Sequence, residues 1–479
     1  MENTATKKPI EKVPTGIQGL DEVTHGGIPH GRPTLVAGYA GSGKTVFAMQ
    51  FVLNGILHFK EPGVFISLEE ETKDLKNNMA SMGYDLDAMT ADGMLCLENI
   101  NTRHTSLYHS GRFDLTPLFI RIEEAVKKIG ARRIAIDTFE LVFSDLKDRK
   151  IFRQELLRLI RWLKERELTA VFTAENPKNP EHKTGIEEFI TDCVIELKHR
   201  MIDNIYTRRF HILKYRGSDH GTNEYPFLID ENGISVLPIT SVEMHRVSSE
   251  IIPTGVAGLD EKIEKKGLYA GSCTLVSGSS GAGKTSLSAS FAVEAMKKNK
   301  RCIYFAFEES IPQLKRNMLS VGFDLEKYEQ SDLLKIISTR PSLFGLESHL
   351  VSIFNSIEAF QPEVVIFDPV TVLIQVGTRS EIRGMLLRII DYLKSQAISV
   401  FFTGLVTSGN FERDLGLSSL VDNWIKLDTV KKGRENKQGI TLVKIRGMKH
   451  SHYEFIFQFS NDGLILEEPP DEYKSVKKI

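Results

Sequence analysis

Apolar residues in this chain come in short blocks bounded by polar residues and glycine. Thr34-Leu35-Val36, Val64-Phe65-Ile66, Arg133-Ile134-Ala135-Ile136-Asp137, Ile303-Tyr304-Phe305 and Val364-Val365-Ile366-Phe367-Asp368 are such blocks. They belong to runs of about four to seven residues, rich in β-branched and aromatic side chains, that lack strict alternation. That pattern predicts strands buried on both faces, as in a parallel sheet. Between the blocks, apolar residues recur at helical spacing, and 152–166 and 382–393 are predicted helices. Strands alternating with helices predict an α/β fold: a twisted, mainly parallel sheet flanked by helices, with ligand at the strand C-termini.

The blocks occur twice, in the same order. Pro14-Thr15-Gly16 followed by Gly19-Leu20-Asp21-Glu22 returns as Pro253-Thr254-Gly255 followed by Gly258-Leu259-Asp260-Glu261. Glu69-Glu70 returns as Glu308-Glu309, Asp137 as Asp368, and Lys214-Tyr215-Arg216-Gly217 as Lys444-Ile445-Arg446-Gly447. A repeat of this size is a duplicated domain, not a solenoid. The expected domains are 1–240 and 241–479.

Each copy carries a phosphate-binding loop of the form GxxxxGK[ST]. The first contains Gly38, Gly41, Ser42, Gly43, Lys44 and Thr45; the second contains Gly278, Gly281, Ala282, Gly283, Lys284 and Thr285. The glycines let backbone N–H groups wrap a phosphate, the lysine neutralises its oxygens, and the threonine hydroxyl reaches Mg²⁺. A following helix adds its positive dipole end. ATP and Mg²⁺ are the expected cofactors. Asp137 and Asp368 end apolar strands and suit the metal beside Thr45 and Thr285. Glu69 and Glu308 also follow strands and can take a proton from an attacking water or hydroxyl, with Glu70 and Glu309 assisting. Lys214 with Arg216, and Lys444 with Arg446, read as alternate positions of a strand. They suit a γ-phosphate, including one across a subunit boundary.

Bulk composition narrows the classes. The 479 residues are 41% hydrophobic and 26% charged, with a formal net charge of −2. There is no global basic field for nucleic acid. No apolar run approaches the ~20 residues of a membrane span, and the first dozen residues do not read as a signal peptide. Cys96, Cys193, Cys273 and Cys302 lack CxxC spacing and read as buried reduced thiols of a cytoplasmic protein.

Taken together, the P-T-G-x-x-G-L-D-E openings, both loops, both Glu-Glu pairs, both Asp strands and both K-x-R-G segments resemble the circadian clock KaiC family. These are double-domain RecA-like P-loop ATPases. The resemblance implies two tandem RecA-like domains and a homohexamer of two stacked rings with nucleotide at subunit interfaces. It implies an ATPase in the first domain and a serine/threonine autokinase and autophosphatase in the second. Ser418 and Ser419 match the family's phosphorylated Ser-Thr pair, with Ser standing where Thr is usual. The first-domain counterpart, Glu187-Glu188-Phe189-Ile190-Thr191-Asp192, has no hydroxyl pair. Arg383 matches a family arginine near that site. A KaiB-like partner on the first ring is compatible with the resemblance. Little sequence follows Leu466, which argues against an activator of the KaiA type. Two other readings stand beside this one. A nucleotide-gated scaffold would bind ATP with little turnover. A DNA-dependent RecA-type ATPase would need basic loops facing a central pore and a DNA-binding appendage; the near-neutral charge, the double core and the lack of a Lys/Arg-rich arm count against it.

Overall fold

The computed structural model describes residues 9–100, 108–109, 112–113, 115–139, 141, 149–175, 191–202, 205–231, 233–236, 247–256, 258–340, 345–405, 417–432, 435–460 and 463–467. Packing divides the chain into two units, Met1–Pro238 and Ile239–Ile479.

Among the described residues the main sheet of the first unit has nine strands: β1 (Pro33–Gly38), β2 (Gly63–Ser67), β3 (Leu95–Asn99), β4 (Arg133–Asp137), β5 (Thr169–Glu175), β6 (Cys193–Ile202), β7 (Ile205–Tyr215), β8 (Glu224–Asp230) and β9 (Gly233–Val236). They lie side by side in the order β9-β8-β7-β6-β1-β5-β4-β2-β3. From β3 to β6 every pairing is parallel. From β6 to β9 the pairings are antiparallel. β1, β2 and β4 are buried at every position, which is why they read as unbroken apolar blocks.

The second unit repeats this plan. Its strands are β10 (Cys273–Gly278), β11 (Cys302–Ala306), β12 (Leu334–Ser338), β13 (Val364–Asp368), β14 (Ser399–Leu405), β15 (Asn423–Lys432), β16 (Glu435–Ile445), β17 (Glu454–Ser460) and β18 (Gly463–Leu466). Their order, β12-β11-β13-β14-β10-β15-β16-β17-β18, matches the first sheet strand for strand. Each unit is therefore an α/β domain with a mostly parallel sheet.

Five helices matter for the sites: α1 (Lys44–Phe59), α2 (Arg149–Glu165), α3 (Lys284–Lys297), α4 (Arg379–Ser395) and α5 (Leu417–Leu420). α4 shows how sequence sets such an element. It buries Ile382, Met385, Leu386, Ile389, Ile390 and Leu393, one stripe at helical spacing. Its start lies before that stripe because Thr378 and Glu381 form a capping box: Thr378 N–H donates to Glu381 Oε2 at 3.0 Å, and Glu381 N–H donates to Thr378 Oγ1 at 3.4 Å. The repeated P-T-G-x-x-G-L-D-E opening is a local clamp. Asp21 accepts from the Thr15 and Gly16 amides at 2.8 and 2.9 Å, and Asp260 accepts from the Thr254 amide at 2.9 Å. All four cysteines are buried and free, and burial pushes the Cys193 thiol up to about 12.

Candidate functional site

Each phosphate loop joins the C-terminal end of the central strand to the first turn of the helix behind it. Gly43 and Gly283 precede the helices with φ of 99° and 95°. A Cβ on Gly43 would come within 2.4 Å of Ile229 Cδ1, and one on Gly283 within 3.0 Å of the Phe459 ring. Conformation and space therefore both call for glycine. Lys44 folds back across its loop, donating to Gly38 O at 2.9 Å and Tyr39 O at 3.1 Å. Lys284 does the same to Gly278 O at 3.0 Å and Ser279 O at 2.7 Å. Burial lowers the Lys284 pKa, against the opposing pull of Asp368 and Glu308.

The two aspartates stand beside these loops, buried at the ends of β4 and β13. Asp137 Oδ2 accepts from Thr45 Oγ1 at 2.8 Å, and its Oδ1 accepts from Thr173 Oγ1. Burial raises the Asp137 pKa, partly offset by the Thr173 and Thr45 hydroxyls and by Lys44. Asp368 Oδ1 accepts from Thr403 Oγ1, but its Oδ2 accepts from Tyr304 Oη at 2.6 Å. Burial likewise holds the Tyr304 hydroxyl well above its ordinary range, so it stays a donor. Each aspartate is followed by a cis peptide bond, to Thr138 and to Pro369.

The glutamate pairs follow β2 and β11, the strands next to β4 and β13. The first member of each, Glu69 or Glu308, is exposed, whereas Glu70 and Glu309 are half-buried and held in place. Glu70 O accepts from Ser67 Oγ and Asn99 Nδ2, each at 2.6 Å. Glu309 O accepts from Ser338 Oγ at 2.9 Å, and its Oε1 accepts from Asn317 Nδ2 at 3.2 Å. Thr138 Oγ1 donates to Glu69 Oε2 at 3.5 Å, which links the exposed glutamate to the residue after Asp137. Burial raises the Glu308 pKa; Asp368 and Glu309 add to this and Lys284 opposes it. Burial also raises that of Glu70, with Asp137, Glu69 and Asp74 adding.

Lys214, Arg216, Lys444 and Arg446 lie elsewhere. Lys214 pairs with Val194, which pairs with Leu35, three residues before Gly38. That is about 10 Å along β1 from the loop. Lys214 Nζ reaches further back, to Thr191 O at 2.7 Å. Arg216 lies one residue past β7, so the pair does not alternate within a strand as the sequence suggests. Its guanidinium is 3.7 Å from Asp192. In the second unit Lys444 donates to Val421 O at 2.6 Å and Ser418 O at 3.3 Å. Arg446 also follows its strand, and it lies 3.4 Å from Asp422.

Ser418 and Ser419 lie in α5, just ahead of β15. They too stand at the end of the sheet opposite their own loop. Asp422 N–H donates to Cys273 O at 2.8 Å, and the Cys273 amide donates to Asp422 Oδ2 at 3.0 Å. Cys273 begins the strand that ends at Gly278, about 16 Å away at strand rise. Arg383 is exposed near the start of α4, whose far end carries Lys394, 2.7 Å from Asp422. At helical rise Arg383 is about 16 Å from that contact, toward the loop end. The first-unit residues 187–190 lie outside the described residues.

Several contributors were not evident in the sequence. Thr173 and Thr403 complete the aspartate contacts, Tyr304 enters only the second, and Lys164 and Lys394 reach Asp192 and Asp422 at 2.5 and 2.7 Å. The repeat carried a signal for the threonines, since both occupy the same place in duplicated strands. Among the described residues no group of three or more His, Cys, Asp or Glu is gathered for a metal, and no helix is long and apolar enough to cross a membrane.

Comparison with known proteins agrees with this geometry. A family model described as "ATPase: KaiC" matches residues 13–241 and again 252–471. The circadian clock protein KaiC2 of Synechocystis sp. is 44% identical over 463 residues, covering 95% of this chain and 81% of that protein. The circadian clock oscillator protein KaiC of Synechococcus elongatus is 35% identical over 485 residues, covering 100% of this chain and 92% of that protein. The circadian clock protein KaiC3 of Synechocystis sp. is 36% identical, covering 96% and 92%. With two loops, two acid pairs and two buried aspartates on a duplicated α/β core, the chain belongs to the KaiC family of ATPases.

Proposed function

We propose that this chain hydrolyses ATP in its first unit and, in its second, transfers the γ-phosphoryl group of ATP to Ser418 or Ser419 of a neighbouring copy. One observation carries the second half of this reading: the serines and their own loop lie at opposite ends of the same sheet. Phosphoryl transfer needs reacting atoms within about 3.5 Å. The length of β10 forbids that within one unit, whereas a ring of copies supplies a neighbour's nucleotide. Lys444 and Arg446 share the serines' end, and Lys214 and Arg216 stand at the corresponding end of the first sheet, so their contact with a nucleotide is also an inter-copy one.

The residues present fit a magnesium nucleotide. Mg²⁺ is commonly held by one or two carboxylates together with substrate phosphates. Thr45 with Asp137, and Thr285 with Asp368, are the groups that would hold it, and it would neutralise charge on the phosphates. In the second unit Glu308 takes the serine proton as the serine oxygen bonds to the γ-phosphorus. The bond from that phosphorus to the bridging oxygen breaks and ADP leaves. In the first unit Glu69 takes the proton of water, giving ADP and phosphate. Glu70 and Glu309, tied to their strands, keep their neighbours in position. Arg383, at the loop end, suits the charge on the transferred group. The same reading includes a homohexamer of two stacked rings and a KaiB-like partner on the first.

The test is intact mass and peptide mapping after incubation with Mg-ATP. Phosphate is expected on Ser418 or Ser419, and its absence in Lys284→Ala alone. Mixing Lys284→Ala with a Ser418→Ala/Ser419→Ala double variant should place phosphate on the Lys284→Ala chain. No phosphate on any chain, with ATP still hydrolysed, would leave a ring ATPase. No turnover at all would leave a nucleotide-gated scaffold.

A further inference from the structure

The two sites are built on the same strands but differ beneath the aspartate. Tyr304 and Phe65 occupy equivalent positions in β11 and β2, two residues before Ala306 and Ser67, which pair with Asp368 and Asp137. Alternation therefore puts Tyr304 on the face of Asp368. Both rings are fully buried. Phe65 shows that the fold needs only the ring at this place, so packing does not account for the hydroxyl. That hydroxyl donates to Asp368 Oδ2 at 2.6 Å, whereas in the first unit Asp137 Oδ2 takes Thr45 at 2.8 Å. Among the described residues Asp368 accepts from Tyr304 and Thr403, and Asp137 from Thr45 and Thr173.

We infer that Tyr304 is a positioning residue of the second nucleotide site, and that its bond to Asp368 makes this site hold its divalent cation more weakly than the first site does. This rests on the reading of Asp368 and Thr285 as the metal-holding pair. A carboxylate oxygen engaged by a buried donor has less charge to offer a cation, its water shell, or the hydroxyl of a metal-bound threonine. The first site lacks that internal donor. Its aspartate already takes the threonine that follows the loop lysine, which is the arrangement the metal uses. One duplicated fold thereby carries a tighter and a looser metal site, and the Tyr304 hydroxyl sets the looser one.

The experiment uses the full chain loaded with ADP and titrated with Mn²⁺, followed by electron paramagnetic resonance. Lys44→Ala isolates the second site and Lys284→Ala the first. In the Lys44→Ala background, Tyr304→Phe should tighten Mn²⁺ by roughly three- to tenfold, the net worth of one typical hydrogen bond. ADP affinity measured in excess chelator should not change. In the Lys284→Ala background, Phe65→Tyr should loosen Mn²⁺ by a similar factor. Unchanged Mn²⁺ affinity in Tyr304→Phe overturns the inference, as does an equal change in metal-free ADP affinity, which would mark a packing effect. Asp368→Asn separates the two layers of the argument. If it weakens Mn²⁺ while Tyr304→Phe does nothing, the inference alone fails. If it leaves Mn²⁺ binding intact, the metal-holding role of Asp368 falls and the inference with it. Should Phe65→Tyr not fold, Tyr304→Phe still decides, because it installs the ring the first unit already has.

Discussion

Asp137 and Asp368 each place a carboxyl group at the end of a buried strand, where an unpaired polar group is costly. The hydroxyls of Thr173 and Thr403 meet one oxygen of each. Both threonines are themselves buried, so no water replaces them easily. Thr403→Val keeps the side-chain shape and removes the donor. It is expected to lower the stability of the second unit by about 1–3 kcal/mol, the cost of leaving a buried acceptor unmet. Thr403→Ser, which keeps the hydroxyl, should recover most of that loss. The chain has two tryptophans, Trp162 and Trp424, one per unit. Urea melts followed by fluorescence in a Trp162→Phe background would report the second unit alone. Equal stability of Thr403→Val and the parent would show that the bond has no net worth.

Helix α4 and strands β15 and β16 are tied together through one carboxylate. Asp422 meets Lys394 from the end of α4 at 2.7 Å, the Cys273 amide from β10 at 3.0 Å and Arg446 after β16 at 3.4 Å. Burial is the largest single influence on Asp422 and acts upward. Against it, the hydrogen bonds from Lys394 and the Cys273 amide, with the charges of Lys394 and Arg446, hold the carboxyl below its ordinary range. The sign of the linkage follows. Asp422 releases its proton more readily folded than unfolded, so its contribution is fully present above the unfolded value of about 3.9. It is lost as pH falls from there through the folded pKa. Asp422→Asn should therefore be less stable than the parent at neutral pH, by about 2 kcal/mol, and the gap should close as pH drops below about 4. Melts of both proteins across that window check this; a gap that stays constant with pH would assign the loss to shape, not charge. The same elements show what a sequence reveals. The phosphate loops are legible because their chemistry lies within eight consecutive residues, and the parallel strands because burial on both faces leaves continuous apolar blocks. The Lys394–Asp422 tie joins residues 28 apart with ordinary types, and a threonine inside a strand reads as a strand former. Lys214 and Arg216 were legible as a basic pair, but which end of the sheet they face depends on the pairing of β7 with β6.

At the scale of the whole chain, duplication sets up a comparison that the protein carries within itself. Strand order, loop, buried aspartate and glutamate pair are the same in both units. The sequence differs where an acceptor would stand: Ser418-Ser419 in the second copy, against Glu187-Glu188-Phe189-Ile190 in the first. It differs also at Phe65 and Tyr304. If each glutamate serves its own unit's nucleotide, removing one base should silence one reaction and spare the other. Glu69→Gln should lower bulk ATP hydrolysis by about a hundredfold in the first unit's share, within the range general-base catalysis supplies, while phosphate still accumulates on Ser418 or Ser419. Glu308→Gln should abolish that phosphate and leave most hydrolysis in place. The amide keeps size and hydrogen bonding, so the proposed ring assembly with Mg-ATP, followed by sizing, should persist in both variants. Parallel measurement of released phosphate and serine-bound phosphate decides the matter. Equal losses of both activities in the two variants would mean that the units do not divide the chemistry, and that either acid pair controls a reaction common to both. A monomer with and without Mg-ATP would remove the inter-copy route, since the length of β10 leaves the serines no access to their own unit's nucleotide.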